Sequence, residues 1–383
     1  MTFPNGPMRK ALVITFSNLK SDNRVQRQIS FLTGEGFSVT VASNDGHTPV
    51  KSRAIKLKPL RLDPVNKVLL SVILLLRFYS LAYQRLYGRS LKTDESYDLI
   101  VANDIEALPL AFSLKQNARL IFDAHEYAPR HFEDRLSWRI FFQGFNKFLC
   151  KKYIPRVDGM ITVGQRIADE YYEHYGVRPV IITNAPDYSE IAPKKVNPAR
   201  IRLIHQGSAN PSRKLELMIE MMDMLDDRFE LDLMLLKPPP TQRLNFAYYI
   251  KLEKLLANNK KVRLVPPTPS EKLVDVLNEY DIGIILIPPV NFNYANTLPN
   301  KFFECIQARI ALAIAPTPEI AALTRAYNIG VIANDFTAKS LAECVNRLSS
   351  EQIDSFKQNT SAAAQDFNAA KNKEIFKKLI QSL

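Results

Sequence analysis

Between residues 296 and 304 the chain reads NTLPNKFFE, and Thr297, Lys301 and Glu304 within it are spaced by four and three. On an α-helix that spacing sets a hydroxyl, a cation and a carboxylate on one face. Asn296 or Thr297 is placed to cap such a helix, and Pro299 suits its first turn, where no N–H donor is needed. The unsatisfied N–H groups of a helix start attract anions. The chemistry this arrangement suits is recognition of a phosphorylated sugar or a nucleotide. The alternative is a capped helix with a solvated lysine–glutamate pair on its surface. Phe302, Phe303, Ile306 and Ile310 fall at other positions and can face a core.

A second candidate is Asp123-Ala124-His125-Glu126, which closes the apolar segment 119–122. A histidine at a strand end is placed to meet a ligand. Its alternative is a structural ring oriented by Asp123.

The elements that must hold these residues follow from hydrophobic periodicity. Strands are expected at 10–16, 38–42, 98–102, 119–122, 159–163 and 179–182, and helices at 22–34, 65–86, 105–114, 138–153 and 165–175. Residues 194–200 are polar and proline-bearing and read as a linker. The alternation then restarts, with strands at 201–206, 231–236, 262–265, 281–287 and 311–315 and helices at 214–225, 242–258 and 270–279. Two runs of βα units predict an α/β protein of two Rossmann-like, doubly wound parallel sheets facing across a cleft. The expected domains are 1–193, 194–365 and a C-terminal helix over 366–383 that packs back on the first domain. Right-handed crossovers bring strand carboxyl ends and helix amino ends to one edge of each sheet, where ligands bind. At 383 residues, two domains are also what length predicts.

Composition narrows the function classes. The net charge is +12, from 51 basic and 39 acidic residues, and it is spread along the chain. Such a balance suits phosphorylated ligands or anionic lipid, and no nucleic-acid-binding motif accompanies it. Three scattered cysteines, Cys150, Cys305 and Cys344, give no disulfide or metal-ligand spacing, so a reducing compartment and no metal are expected. Residues 1–10 lack the apolar core of a signal peptide, which points to the cytoplasm. The longest stretch dominated by apolar residues, 68–76, is too short to cross a bilayer. It reads first as a core helix and second as an interfacial helix flanked by Lys67 and Arg77. Residues 138–152 mix Phe141, Phe142, Phe145 and Phe148 with Arg139, Lys147, Lys151 and Lys152, which suits peripheral contact with an anionic membrane or a core helix with a basic outer face. No GxGxxG or GxxxxGK[ST] follows a strand, which weighs against a dinucleotide dehydrogenase or a P-loop ATPase.

Seven segments, in order, resemble the family 4 glycosyltransferases, which have the GT-B architecture. They are Asp22-Asn23-Arg24-Val25, the strand from Tyr97 to Asp104, DAHE at Asp123, KKYIPRVDGMITVG over 151–164, Ile182-Thr183-Asn184-Ala185-Pro186, His205-Gln206-Gly207 through Arg213, and Asp281-Ile282-Gly283 with the NTLPNKFFE stretch. The resemblance implies metal-independent sugar transfer with retention, from a UDP- or GDP-linked donor on the second domain to a glycan or lipid-linked acceptor on the first. The nucleotide sugar is a co-substrate and no cofactor is implied. Glu304 matches the carboxylate that holds the nucleotide ribose. Asn296 stands where the family often has a second Glu for a sugar hydroxyl. Backbone N–H groups at Thr297 and Leu298 are expected near the diphosphate or sugar. Gly207 matches a turn glycine against the ligand, and Arg213 and Lys301 are the phosphate cations. Ser208 replaces a cation the family often has, and Arg309 replaces a helix-terminal glycine. His125 matches a histidine that contacts the donor and sets the reacting geometry, the one catalytic assignment. Arg24 is a candidate on the acceptor side. The expected role is synthesis of a cell-envelope polysaccharide or glycolipid, at the inner face of the plasma membrane if peripheral. A nucleotide-sugar epimerase and a non-catalytic nucleotide-sugar-binding partner subunit are the alternatives.

Overall fold

The computed structural model describes residues 8–48, 52–57, 63–88, 91, 93, 95–257 and 259–383. Asn258, the end of one expected helix, and residues 1–7 of the polar N-terminal stretch lie outside them. Two compact units divide the chain. One contains Met1–Thr183, Asn291–Asn293 and Lys373–Leu383, and the other Asn184–Val290 and Tyr294–Asn372. The division falls ahead of residues 194–200 for a physical reason. The segment after Thr183 is bonded into the second unit: Ser189 N–H donates to Gln307 Oε1 at 3.0 Å and the Ala192 carbonyl accepts from Asn278 at 3.1 Å.

The first unit holds β1 (Lys10–Ile14), β2 (Ser38–Ser43), β3 (Arg53–Lys56), β4 (Leu99–Asn103), β5 (Arg119–Ala124), β6 (Gly159–Thr162) and β7 (Val180–Ile181). They form one parallel sheet in the order β3-β2-β1-β4-β5-β6-β7. Alternate residues enter two cores. Leu12, Ile14, Ile100 and Phe122 pack on one face, and Val13, Val41, Val101 and Ile121 on the other. Burial on both faces is why the central strands β1, β4 and β5 read as continuous apolar runs, unlike the mostly exposed edge strand β3.

Its helices are α1 (Asn23–Gly34), α2 (Pro64–Leu75), α3 (Tyr79–Tyr87), α4 (Leu108–Leu114), α5 (Leu136–Phe141), α6 (Gln143–Tyr153) and α7 (Gln165–Tyr175). The single helix expected over 65–86 is therefore two. Phe78 N–H bonds the Ile73 carbonyl and Arg77 N–H the Leu74 carbonyl, with Arg77 at φ 59°. That is a Schellman ending built without glycine, so the stop has no sequence signal. Its outer face is exposed, against the core-helix expectation. The expected helix 138–153 is likewise divided, at Phe142.

The second unit holds β8 (Ile201–Ser208), β9 (Phe229–Leu236), β10 (Val262–Val265), β11 (Ile282–Ile285), β12 (Ala311–Ile314) and β13 (Gly330–Ile332), parallel in the order β10-β9-β8-β11-β12-β13. Around them lie α8 (Glu216–Asp223), α9 (Arg243–Leu256), α10 (Ser270–Leu277), α11 (Phe292–Ala295), α12 (Asn300–Gln307), α13 (Pro318–Tyr327), α14 (Ala338–Asn346) and α15 (Ser350–Asp366). The closing helix, α16 (Ala369–Ser382), sets Phe376 into the first unit's core beside Phe31. In each sheet the strand order reverses once, between β1 and β4 and between β8 and β11. At such switch points the strand ends open a crevice for ligands.

Candidate functional site

In the second unit the site grows from the carboxyl end of β8. Gly207 adopts φ 140°, a conformation glycine holds without strain. A Cβ built there would lie 3.1 Å from Arg213 Nη1 and 3.3 Å from Lys301 Nζ. Two cations thus converge on one bare stretch of backbone. Lys301 is buried in the first turn of α12, so the solvated-pair alternative is excluded. Burial holds its pKa well below the usual lysine value, with Arg213 adding to the effect and Glu304 opposing it.

His205 fixes the lysine. Its Nδ1–H donates to the Ile284 carbonyl at 2.8 Å, so Nε2 is the acceptor that Lys301 Nζ meets at 3.2 Å. Burial first, and Lys301 second, drives the His205 pKa well below 6.5, which keeps that lone pair available. Arg213 donates from Nη1 to the Ser208 carbonyl at 3.1 Å, while its buried Nε has no partner. Glu304, one turn beyond Lys301, accepts from Gln206 Nε2 at 3.2 Å.

The helix carrying these residues starts later than its sequence suggests. α12 begins at Asn300 with Pro299 as N-cap at ψ 150°, and neither Asn296 nor Thr297 caps it. Proline disfavours the helical region for the residue before it, and Leu298 lies outside the helix. Thr297 therefore does not share a helical face with Lys301 and Glu304. Asn296 and Thr297 sit half-buried in the preceding loop, and the Leu298 side chain enters the core. At the other end Arg309 takes φ 57°. Its guanidinium donates to the carbonyls of Ile306, Gln307 and Ser189 at 3.1, 2.9 and 2.8 Å. Those bonds offset the about 1 kcal/mol that a side chain costs there.

In the first unit the switch point carries a hydrogen-bond chain whose polarity is set by an ion pair. Arg24 grips Asp123 through Nε at 2.9 Å and Nη2 at 2.6 Å, and its Nη1 donates to the Ile182 carbonyl at 2.7 Å. Gln28 Nε2 donates to Asp123 at 3.0 Å, so Gln28 Oε1 must accept from Asn103 Nδ2, also at 3.0 Å. Asn103 Oδ1 then faces His125 Nε2 at 3.2 Å and calls for a proton on that nitrogen. His125 Nδ1 lies 3.4 Å from Asp104 Oδ2. Asn103 and Asp104 thus orient the ring; Asp123 stands 3.8 Å off and is engaged by Arg24. Arg24 is buried, and its bonds to Asp123 and the Ile182 carbonyl give it a structural role at this edge.

Asp104 combines φ 64° with ψ 162°, a region that costs a non-glycine residue about 1–3 kcal/mol. It lines a cavity of about 310 Å³ with Glu106, Glu126, His131, Tyr87 and Tyr171. Desolvation raises the Asp104 pKa above the ordinary carboxylate value, opposed by His125, and raises that of Glu106, reinforced by Asp104. Burial opposes charge on His131, yet Glu126 at 2.9 Å, with Asp104 and Glu106 behind it, raises its pKa above 6.5.

Against known proteins, residues 22–190 match the sequence model of Glycosyltransferase Family 4. The fold matches glycosyltransferase structures over nearly the whole chain. Sucrose-phosphate synthase from Thermosynechococcus elongatus aligns with a TM-score of 0.73 at 14% identity, covering 98% of each chain. The chain is similar to the family 4 glycosyltransferases over residues 22–190, and the whole of it has their GT-B fold. HepE of Anabaena, in complex with UDP and glucose, aligns with this glycosyltransferase-like chain at a TM-score of 0.66 and 13% identity, covering 98% of this chain and 100% of HepE. Trehalose 6-phosphate synthase from Burkholderia multivorans gives 0.64 and 13%, covering 98% of this chain and 99% of that one. At such identities the likeness is one of fold, GT-B. Among curated proteins none matches the sequence significantly.

In this glycosyltransferase-like protein the structure brings Gly207, Arg213, Lys301 and Glu304 to one strand edge, and sets His125 with Asp104 at the edge of the other sheet. Sequence reasoning missed His205, whose only signal was a histidine two residues before Gly207. It also gave Asn103 no role, because its distance from His125 along the chain hides a pairing made by adjacent strands.

Proposed function

We propose that this protein transfers a sugar, with retention at the anomeric carbon, from a UDP- or GDP-linked donor to a hydroxyl of a glycan or lipid-linked acceptor. The observation that carries the reading is the convergence of Lys301 and Arg213 on Gly207. A lysine held from water by burial and turned by a neutral histidine, beside an arginine with an unsatisfied Nε, calls for an anion. A nucleoside diphosphate supplies one, and Glu304 then accepts from the ribose hydroxyls. HepE binds UDP and UDP-glucose on the same fold, which supports a uridine nucleotide as the first donor to test.

Transfer then follows from charge. As the anomeric C–O bond breaks, Lys301 and Arg213 stabilise the growing charge on the diphosphate, and no metal is required for that task. The acceptor oxygen forms the new glycosidic bond and its proton passes to the leaving phosphate oxygen. In this reading His125 holds the donor sugar in the reacting geometry and is not a base. Asn296 serves a sugar hydroxyl, and the backbone N–H groups of Thr297 and Leu298 serve the diphosphate or sugar. The acceptor enters the first unit's cavity, where the carboxyl groups of Asp104, Glu106 and Glu126 can pair with hydroxyls. A sugar of a cell-envelope polysaccharide or glycolipid, met from the cytoplasm, fits that lining.

The test is a panel of UDP, GDP and their sugars, read by thermal stabilisation, donor hydrolysis and transfer. Stabilisation by one nucleotide class with hydrolysis of its sugar is expected. No stabilisation by any of them overturns the reading. Isomerisation of the free nucleotide sugar establishes an epimerase instead, and binding without hydrolysis or transfer a non-catalytic subunit.

A further inference from the structure

The first unit carries an apolar surface that the transfer reaction does not use. α2 turns Leu70, Ile73 and Leu74 into the core and leaves Val65 77%, Val68 66% and Leu76 61% exposed on its other side. Val72 and Leu75 continue the stripe, Phe78 and Leu81 extend it onto α3, and Leu136 and Ile140 onto α5. Of the seventeen large apolar side chains exposed among the described residues, ten lie on these three helices and their junction. Scattered exposed apolar residues are ordinary, but a contiguous cluster marks a surface that meets something.

Charge says what it meets. Over residues 64–88 there are three cations, Lys67, Arg77 and Arg85, and no Asp or Glu. Over 135–156 there are six cations and again no Asp or Glu. Lys67, Arg77, Arg85 and Arg139 are exposed on the same helices and their junction, and Lys151 and Lys152 are exposed on α6, which packs against α5. A second copy of this chain is a poor partner, because a two-fold contact would set each cation-rich surface against its twin. We infer that this face docks onto an anionic lipid bilayer. The side chains of α2, α3 and α5 enter the boundary between headgroups and acyl chains, and the surrounding lysines and arginines meet the lipid phosphates. No helix among the described residues is long and apolar enough to cross a membrane, so the contact is peripheral.

The same helices reach the cavity of the first unit. α3 turns Leu81 outward, while Tyr83 donates its hydroxyl hydrogen to the Glu106 carbonyl at 3.2 Å and Tyr87 lines the cavity. Docking therefore brings the cavity close to the bilayer, where a lipid-linked acceptor would present its sugar. That consequence rests on the proposed transfer; the docking itself does not.

The test is flotation of the full chain with vesicles of phosphatidylcholine alone or with phosphatidylglycerol. Binding is expected to the anionic vesicles only, and to be lost in high salt. The doubly substituted Val68→Asn, Leu75→Gln variant should bind at least tenfold more weakly, as should Arg139→Ser, Lys151→Ser, Lys152→Ser, each with an unchanged thermal transition. Equal binding to both vesicle types, or none to either, overturns the proposal. So does a dimer in solution that the Val68→Asn, Leu75→Gln substitutions dissociate, since a second copy would then cover the face. Because flotation reads no chemistry, its outcome is independent of whether sugar transfer is found.

Discussion

Replacement of Lys301 by methionine tests the anion site at its centre. Lys301 is buried beside Arg213, and burial holds its pKa well below the ordinary 10.5. A bound diphosphate raises that pKa again. Between the free-protein value and the higher bound value, nucleotide binding takes up protons, toward one per nucleotide at most. Affinity must then fall as pH rises through that window, by up to tenfold per unit. A charge-assisted hydrogen bond is worth about 1.5–3 kcal/mol. Lys301→Met should therefore weaken nucleotide binding roughly 10- to 150-fold. Calorimetric titration with UDP or GDP, repeated over a series of pH values in buffers of differing ionisation enthalpy, reads both quantities. The slope of heat against buffer enthalpy gives the proton count, and the methionine variant should lose its share of that slope. An affinity within twofold of the parent, with an unchanged slope, would refute the assignment of Lys301 to the phosphate.

Three further outcomes are expected. Glu304→Ala should weaken nucleotide binding about tenfold and leave inorganic pyrophosphate binding unchanged, since a carboxylate serves the ribose and not the phosphates; equal loss for both ligands would place Glu304 elsewhere. His125→Ala should keep nucleotide affinity within about threefold while transfer falls roughly 100-fold or more, measured by product formation at saturating donor. Arg24→Met should destabilise the fold by about 3–5 kcal/mol, read by denaturant unfolding, because it strands buried Asp123 without its partner. A stable Arg24 variant with impaired acceptor use would instead restore its place on the acceptor side.

Periodicity found the central strands of both sheets but missed the edge strands β3 and β13 and the helices α13, α14 and α15, and it was a poor guide to element ends. The central strands were legible because buried parallel strands are apolar on both faces, whereas β3 and β13 lie at sheet edges and are only partly buried. The divisions at Arg77 and Phe142 were not legible, because neither is marked by glycine or proline. The start of α12 was misplaced for a subtler reason. Asn296 and Thr297 are good caps in isolation, but Pro299 forbids the helical turn they would have opened. The residues proposed for the phosphate were picked out by motif and order, whereas the chain from Asp123 through Gln28 and Asn103 to His125 was not legible. Its members come from α1 and two neighbouring strands, and only strand register makes them adjacent.

What the sequence by itself determined was the α/β class, the doubling of the βα series and the residue types able to hold a nucleotide sugar. These follow from local pattern, which does not depend on what packs against it. Tertiary structure alone decided protonation and exposure. Lys301 reads as a surface lysine until burial and His205 surround it, and the run 68–76 reads as core until its outer face is found uncovered. Both depend on which atoms exclude water, a property of packing that no spacing along the chain encodes.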